Sequence, residues 1–447
     1  MAKKSRGEDE PVTRRGKHGK AAFSFLGTQF DSVDAETVRS HIGMLIAASI
    51  VMKFLVVFVT TVVFQSFVDS FDIGTYLNSA TPLLEGQIPY ISYQYEYPVL
   101  MFIPILLAFI PAVILKSGVI FFLAFQFLMI LCDIAIVLCV YLIGLKLYRE
   151  TTAFYAGLIY ATAFSTAYFV ITKSDAFPTA LLMLGILFTV YGMKIRGYAG
   201  ASAGFFAKIF PAVALPFMVF YNAKKTSFKT ALIEGLKVFF AFCIVLLVPL
   251  AIISPGTIQT YLFVTGGSVG VYVNTATYTL YLYLHDVLPL GVSAGAVSTV
   301  MYVLMGLAIL LLFALAYTDK EMREKTLLKY ILCALSCLVF FTKFHSPQYI
   351  VWFTPLLAIL VADDFLKIGL FYVSQLLAYI EFPLMFGGWY TNLAYVNPAG
   401  SSGWYLTLFF FTIVNIVLIA LLWFTVCPKA GFVERLKGIL PKKTEEA

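Results

Sequence analysis

From Gly118 to Leu145 the chain runs through 28 residues that carry a single charge, Asp133. As a helix this stretch is about 42 Å long at 1.5 Å per residue, more than the roughly 30 Å of hydrocarbon in a bilayer. It is one of many. Apolar spans read at 42–64, 118–145, 152–171, 176–193, 230–253, 291–317, 327–342, 348–362, 366–387 and 403–427. Charged residues make up 12% of the chain and hydrophobic ones 61%, against roughly 25% charged in soluble domains. Such a chain cannot cover a water-facing surface, so the expectation is an all-α polytopic membrane protein with no sizeable soluble domain.

Two further apolar stretches are ambiguous. Pro98, Pro104 and Pro111 break up 98–113, and Lys208 and Pro211 interrupt 199–221. Charge counting arbitrates, because Lys and Arg stay cytoplasmic. The N-terminal tail holds Lys3, Lys4, Arg6, Arg14, Arg15, Lys17, Lys20 and Arg39, whereas 65–97 has four acids and no Lys or Arg. Reading 98–113 as re-entrant and 199–221 as a hairpin keeps Lys146, Arg149, Lys194, Arg196, Lys224, Lys225 and Lys229 inside. The loop 254–290, without Lys or Arg, and the uncharged 388–402 are then outside. This predicts about 12 transmembrane crossings, a large first extracytoplasmic loop and both termini cytoplasmic. A basic tail (1–41) precedes one membrane domain (42–427), and a second tail (428–447) follows. The formal charge of +7 thus reports topology, not nucleic-acid binding. Residues 1–41 lack the short apolar core of a cleavable signal peptide. All six cysteines lie in or at the ends of apolar runs, so no disulfide framework is expected.

With this topology, ionisable residues that are not anchors gather on the outer side: Asp69, Asp72, Glu85, Glu96, Lys116, Lys173, Asp175, Lys208, His285, Asp286, Lys343 and His345. Lys173, Lys208 and Lys343 defy the positive-inside trend, which suggests that each balances an anion. In "VDSFDIG", an Asp just above the membrane could take a proton from a hydroxyl, and Asp72 could equally cap a helix from Ile73 to Leu84. In "ITKSDAFP", Lys173 and Asp175 could pair with each other or touch substrate. In "KFHSPQYIVWFTPLL", Lys343 and His345 precede a proline-started helix whose N-terminus favours an anion. Loop 254–290 supplies Tyr261, Tyr272, Tyr278, Tyr281 and Tyr283 with "TGGSVG", and its length suggests a cover. Asp133 and Glu381 lie within spans and receive no role.

The order of these motifs resembles the GT-C glycosyltransferases, membrane enzymes that use polyprenyl-phosphate sugars at the extracytoplasmic or lumenal face. The acidic first loop followed by "LLEGQIPY" and "YEYP" looks like that family's acidic loop with its G-x-x-P-Y and Tyr-Pro elements. "AKIFPAVALP" is similar to the Lys-aromatic-Pro element of its mannosyltransferases. "FTKFHSPQYIVWFTPLL" resembles the segment of the polyprenyl-phosphate-mannose branch, which includes phosphatidylinositol-mannoside mannosyltransferases and, more distantly, the catalytic subunit of GPI mannosyltransferase I. The motifs cover roughly 65–360, and the acidic one is D-x-x-D where D-x-D is commoner.

The resemblance implies inverting transfer of a hexose, mannose by analogy, from a polyprenyl-phosphate donor to a lipid-linked or glycan acceptor. Asp72 would be the base, with Asp69 as second carboxylate. His345, Lys343 and Lys208 would bind the donor phosphate. Glu96, Lys173, Asp175, Tyr349 and Gln348 are the candidate substrate contacts. Basic side chains would replace a metal, so no cofactor is expected. The membrane would be the cell membrane in a prokaryote or the endoplasmic reticulum in a eukaryote. The competing readings are a secondary transporter or polyprenyl-lipid flippase, for which midplane ionisable groups and inverted repeats are expected, and a non-catalytic lipid-binding scaffold.

Overall fold

The computed structural model describes residues 22–63, 69–256, 270–390 and 399–427. Most of both tails, Tyr261, most of "TGGSVG" and the greater part of 388–402 lie outside the described residues. Among those described, a β-hairpin is followed by sixteen helices.

The hairpin is unexpected, because 22–34 reads in the sequence as part of a polar tail. Strands β1 (Ala22–Phe25) and β2 (Thr28–Asp34) pair antiparallel across Leu26 and Gly27, both at positive φ. Phe25 meets the ring of Tyr191 edge-on at 5.2 Å, and Lys146 Nζ donates to Thr28 Oγ1 at 3.3 Å, so the hairpin is tied to the helix bundle. Helix α1 (Ala35–Phe58) then starts earlier than the apolar run, because Asp34 accepts the Thr37 N–H at 2.9 Å and caps it. Its last turn widens over Val59–Val63.

Chain order continues with α2 (Phe71–Ala80), α3 (Phe102–Ile114), α4 (Gly118–Leu147), α5 (Glu150–Ala161), α6 (Phe164–Thr172), α7 (Ala176–Val190), α8 (Lys194–Ala207) and α9 (Ala214–Ala223). Next come α10 (Phe228–Ile253), α11 (Ala276–Leu282), α12 (Ala294–Thr318), α13 (Glu324–Phe341), α14 (Ile350–Val361), α15 (Phe365–Tyr379) and α16 (Ser402–Val426). Six helices are long and apolar enough to cross a membrane, and the pair α5–α6, bent by 54°, raises the count to seven if taken as one span. Four shorter apolar helices accompany them. The protein is therefore a helical, multi-pass integral membrane protein. Helices α10 and α12 leave long apolar faces exposed, as lipid-facing helices do, while α14 is buried from Ile350 to Val361 and forms the centre.

Helices α7 and α8 pack backbone to backbone. A Cβ on Gly200 would stand 2.7 Å from Gly185 Cα, and one on Gly185 would stand 2.8 Å from Ala201 N. Small residues permit this approach, which replaces the hydrophobic drive that lipid does not supply. The tight pair sets the turn at Lys208, where the chain extends and re-forms a helical turn at Phe210–Val213.

Candidate functional site

One end of the bundle collects the chain breaks between helices: the lead into α2, the α6–α7 turn, the α8–α9 break and the lead into α14. Helix α2 sets the first. Its buried side is Ile73, Tyr76 and Ala80, a helical spacing that seats it on α3 and α4. Tyr76 packs on Phe125 at 5.1 Å and donates to Ser174 Oγ at 2.9 Å, linking α2 to the α6–α7 turn. Tyr97 meets Tyr76 at 5.4 Å, and Tyr93 donates to Ser79 O at 2.5 Å. The aromatic stretch 90–97 thus braces α2 from one side.

These contacts point Asp72 at Lys173. Lys173 Nζ stands 3.0 Å from Asp72 Oδ2 and also pairs with Asp69 Oδ2. Asp69 is nearly sealed at 5% side-chain exposure, whereas Asp72 keeps 20% and is the accessible carboxylate of the pair. Burial pushes the Asp72 carboxyl above its ordinary value of 3.8; Lys173 opposes the rise and Asp69 and Asp175 add to it. The charge of Asp72 in turn adds to burial in raising the Tyr97 phenol. Capping does not fall to Asp72. It lies inside the first turn of α2, and it is Asp69 Oδ1 that accepts the Phe71 N–H at 3.1 Å.

Lys173 and Asp175 do not pair with each other. The α6–α7 turn sends them in opposite directions, Lys173 toward α2 and Asp175 toward Lys208. Lys208 Nζ lies 2.7 Å from Asp175 Oδ1, and Trp352 Nε1 donates to the same oxygen at 2.5 Å. Trp352 is held between Phe210 at 4.2 Å and Tyr349 at 3.8 Å, both stacked. The Lys208 ammonium sits 5.7 Å from the Tyr349 ring and 5.6 Å from the Trp352 ring. Asp175 Oδ2 is buried without a hydrogen-bond partner among the described residues.

The remaining candidates lie around this core. His345 meets Tyr349 at 5.5 Å between ring centres. Burial of its imidazole pushes the pKa down to about 4, although the residue keeps some exposed surface. It is therefore neutral at neutral pH, where the sequence suggested a cation. Lys343 makes no ion pair among the described residues, and its carbonyl accepts the Tyr272 N–H at 2.8 Å. Tyr272 also packs on Phe344 at 4.6 Å, which fastens the described part of 254–290 beside Lys343. Gln348 accepts from Ser346 Oγ at 2.6 Å. Glu96 is exposed and stands outside the network. His285 and Asp286 form a separate pair at 2.7 Å, joined to Trp404.

One buried pair has no counterpart among the sequence expectations. Lys53 of α1 meets Asp133 of α4 at 2.5 Å, with Ser49 and Tyr160 each donating to Asp133 at 2.8 Å. Lys53 is a single cation in an apolar run, and only the packing of α1 on α4 reveals its partner. Glu381, also within a span, accepts from Asn274 at 2.7 Å.

No protein-family model and no curated protein matches the chain.

Proposed function

We propose that the protein is a GT-C-type membrane glycosyltransferase that moves a hexose, mannose by resemblance, from a polyprenyl phosphate to a lipid-linked or glycan acceptor. The observation that carries this reading is Asp72, a part-exposed carboxylate with an upshifted pKa beside Lys173, at the end of the bundle that also presents Lys208, Lys343 and His345. Asp72 removes the proton of the acceptor hydroxyl. The hydroxyl oxygen bonds to the anomeric carbon as the carbon–oxygen bond to phosphate breaks, and the configuration inverts. The electron pair leaves on the phosphate, where Lys208 and Lys343 balance the growing charge and neutral His345 donates a hydrogen bond. A monophosphate donor presents few charges, so these groups serve without a metal.

The topology proposed is about 12 crossings with both termini cytoplasmic and the Asp72 end extracytoplasmic. Lys and Arg counts support it, as does the presence of Lys194, Lys325 and Arg323 at the other helix ends. The test is incubation of purified protein with polyprenyl-phosphate [³H]mannose and extracted membrane lipids. Labelled product of inverted anomeric configuration, formed equally with and without EDTA, is expected. Uptake of donor or acceptor into sealed vesicles without any new glycosidic bond would overturn the reading.

One observation favours the second reading, a secondary transporter or lipid flippase: Lys53–Asp133 is an ionisable pair near the middle of two spans. The pair is closely held, however. Asp133 receives Ser49 and Lys53 on one oxygen and Tyr160 on the other, about three of the four hydrogen bonds a carboxylate accepts, which leaves little capacity for a travelling ion. A structural clamp fits that closure better.

A further inference from the structure

Helices α9 and α10 part along a groove of about 310 Å³ whose lining residues are all apolar, among them Pro216 and Phe220 on α9 and Phe228, Leu232, Leu236 and Phe239 on α10. The α10 residues recur at helical spacing, so the groove follows that axis from Phe228 to Phe239, about 17 Å at 1.5 Å per residue. This is close to half of the roughly 30 Å of hydrocarbon in a bilayer. Gly235 lies at the floor, where a Cβ would stand 3.2 Å from Val219 Cγ2. The groove is open at its side, since Phe228 and Leu236 are 41% and 43% exposed.

One end is basic. Lys224, Lys225 and Lys229 follow closely between the end of α9 and the first turn of α10, and all three are exposed. Rings frame this end of the groove: Phe220 stacks on Phe228 at 6.0 Å, and Tyr317 of α12 meets Phe228 edge-on at 5.5 Å. Lys224 Nζ donates to the Tyr317 carbonyl at 2.9 Å, which fixes its ammonium beside those rings. Lys229 adjoins Phe228 and makes no side-chain hydrogen bond or ion pair among the described residues. The nearby acids are engaged elsewhere. Glu234 pairs with Lys194 at 2.7 Å, and Glu324 accepts from the Tyr221 hydroxyl at 2.8 Å, to which Lys225 donates at 2.7 Å. Lys224 and Lys229 thus have no carboxylate partner among the described residues.

An apolar groove one leaflet deep that ends among lysines is complementary to a lipid with a fatty acyl chain and an anionic head. A zwitterionic lipid leaves the lysines unmatched, and a long polyprenyl chain outruns the groove. We infer that the α9–α10 groove holds one acyl chain of an anionic phospholipid, with its phosphate at Lys224 and Lys229. The site lies at the bundle end opposite Asp72 and does not rest on the transferase reading. Ala212 stands at the inner end, in the Phe210–Val213 turn that follows Lys208, so an occupied groove also braces the break that carries Lys208.

The test uses the full chain, delipidated in a maltoside detergent, and native mass spectrometry with dioleoylphosphatidylglycerol or dioleoylphosphatidylcholine at equal concentration. One phosphatidylglycerol should be retained, about tenfold more tightly than phosphatidylcholine. Lys229→Gln should weaken its binding about fivefold, whereas Lys116→Gln, an equal loss of charge between α3 and α4, should not. Leu236→Trp puts a larger ring into the groove at unchanged charge and should weaken binding at least fivefold. Leu236 is part-exposed, so the fold should survive, and unchanged melting without added lipid verifies this. Phosphatidylglycerol should raise the melting temperature of wild type and raise it less in both groove variants. Equal retention of the two lipids, or retention indifferent to Lys229→Gln, would overturn the anionic head-group site. Weakening by Lys229→Gln with none by Leu236→Trp would mean surface adsorption and overturn the groove. Undecaprenyl phosphate displacing phosphatidylglycerol at equal concentration would overturn the phospholipid in favour of an isoprenoid tail.

Discussion

Lys173 holds Asp72 at 3.0 Å while its near neighbour Asp175 turns away to Lys208, so two ion pairs bind three chain breaks into one polar cluster. The first pair tunes a carboxylate that solvent reaches, at 20% side-chain exposure. The second seals one that solvent does not reach, since the Asp175 side chain has no exposed surface.

Removing Lys173 should shift the pH profile and, because nearly sealed Asp69 also loses its cation, lower stability as well. If Asp72 is the base, it acts only when ionised, and the rate should rise with pH through its pKa, which burial has already moved above 3.8. Lys173→Met withdraws the one group that favours the charged form and should move the acid limb up by about one to three units. Lys173→Arg should restore most of the wild-type profile. The measurement is kcat/KM against pH for the three proteins.

Breaking the Asp175–Lys208 pair is expected to cost stability, in addition to any loss at the donor phosphate that Lys208 faces. Lys208→Met leaves a fully buried carboxylate without its cation and should cost about 3–5 kcal/mol. Trp352→Phe keeps the stacked rings and removes one donor to Asp175, a loss of about 1–3 kcal/mol. Denaturant or thermal unfolding in a defined detergent should rank the two variants in that order.

Packing of α7 on α8 gives a test independent of charge. Gly200→Ala places a methyl group 2.7 Å from backbone, an overpacking that should cost about 1–3 kcal/mol. At Gly43 on α1 an added methyl group would meet nothing within 4 Å, so Gly43→Ala should be neutral or slightly stabilising. Melting temperatures of the two variants in the same detergent give the comparison.

If Lys53–Asp133 is a clamp, breaking it singly and replacing it wholly will differ in outcome. Asp133→Leu alone strands a buried lysine and should cost about 3–5 kcal/mol, whereas Lys53→Met with Asp133→Leu should recover most of that loss. Transfer activity should return with stability in the double variant. A stable double variant without activity would favour the transport reading.

How far the sequence reaches depends on the range of the interaction. The span 118–145 is legible to within two residues because an apolar run longer than the bilayer has one solution, and α4 is Gly118–Leu147. The break at Lys208 is legible because Pro211 follows it. The hairpin at 22–34 is not, since a few alternating phenylalanines inside a polar segment acquire meaning only against Tyr191. The gathering of Asp69, Asp72, Lys173, Asp175 and Lys208 at one end follows from topology, but their pairing does not. Adjacency in sequence suggests Lys173 with Asp175, and a turn between two helices decides otherwise. Lys53 is hidden for the same reason, as its partner comes from another helix.

Whether Asp72 is the base is decided by single-turnover transfer of labelled mannose from a polyprenyl phosphate, comparing wild type with Asp72→Asn after unchanged melting has verified folding. Losing the proton acceptor should slow transfer about 10²–10⁴-fold while donor binding persists. Transfer by Asp72→Asn within a few-fold of wild type would contradict that assignment and the mechanism built on it.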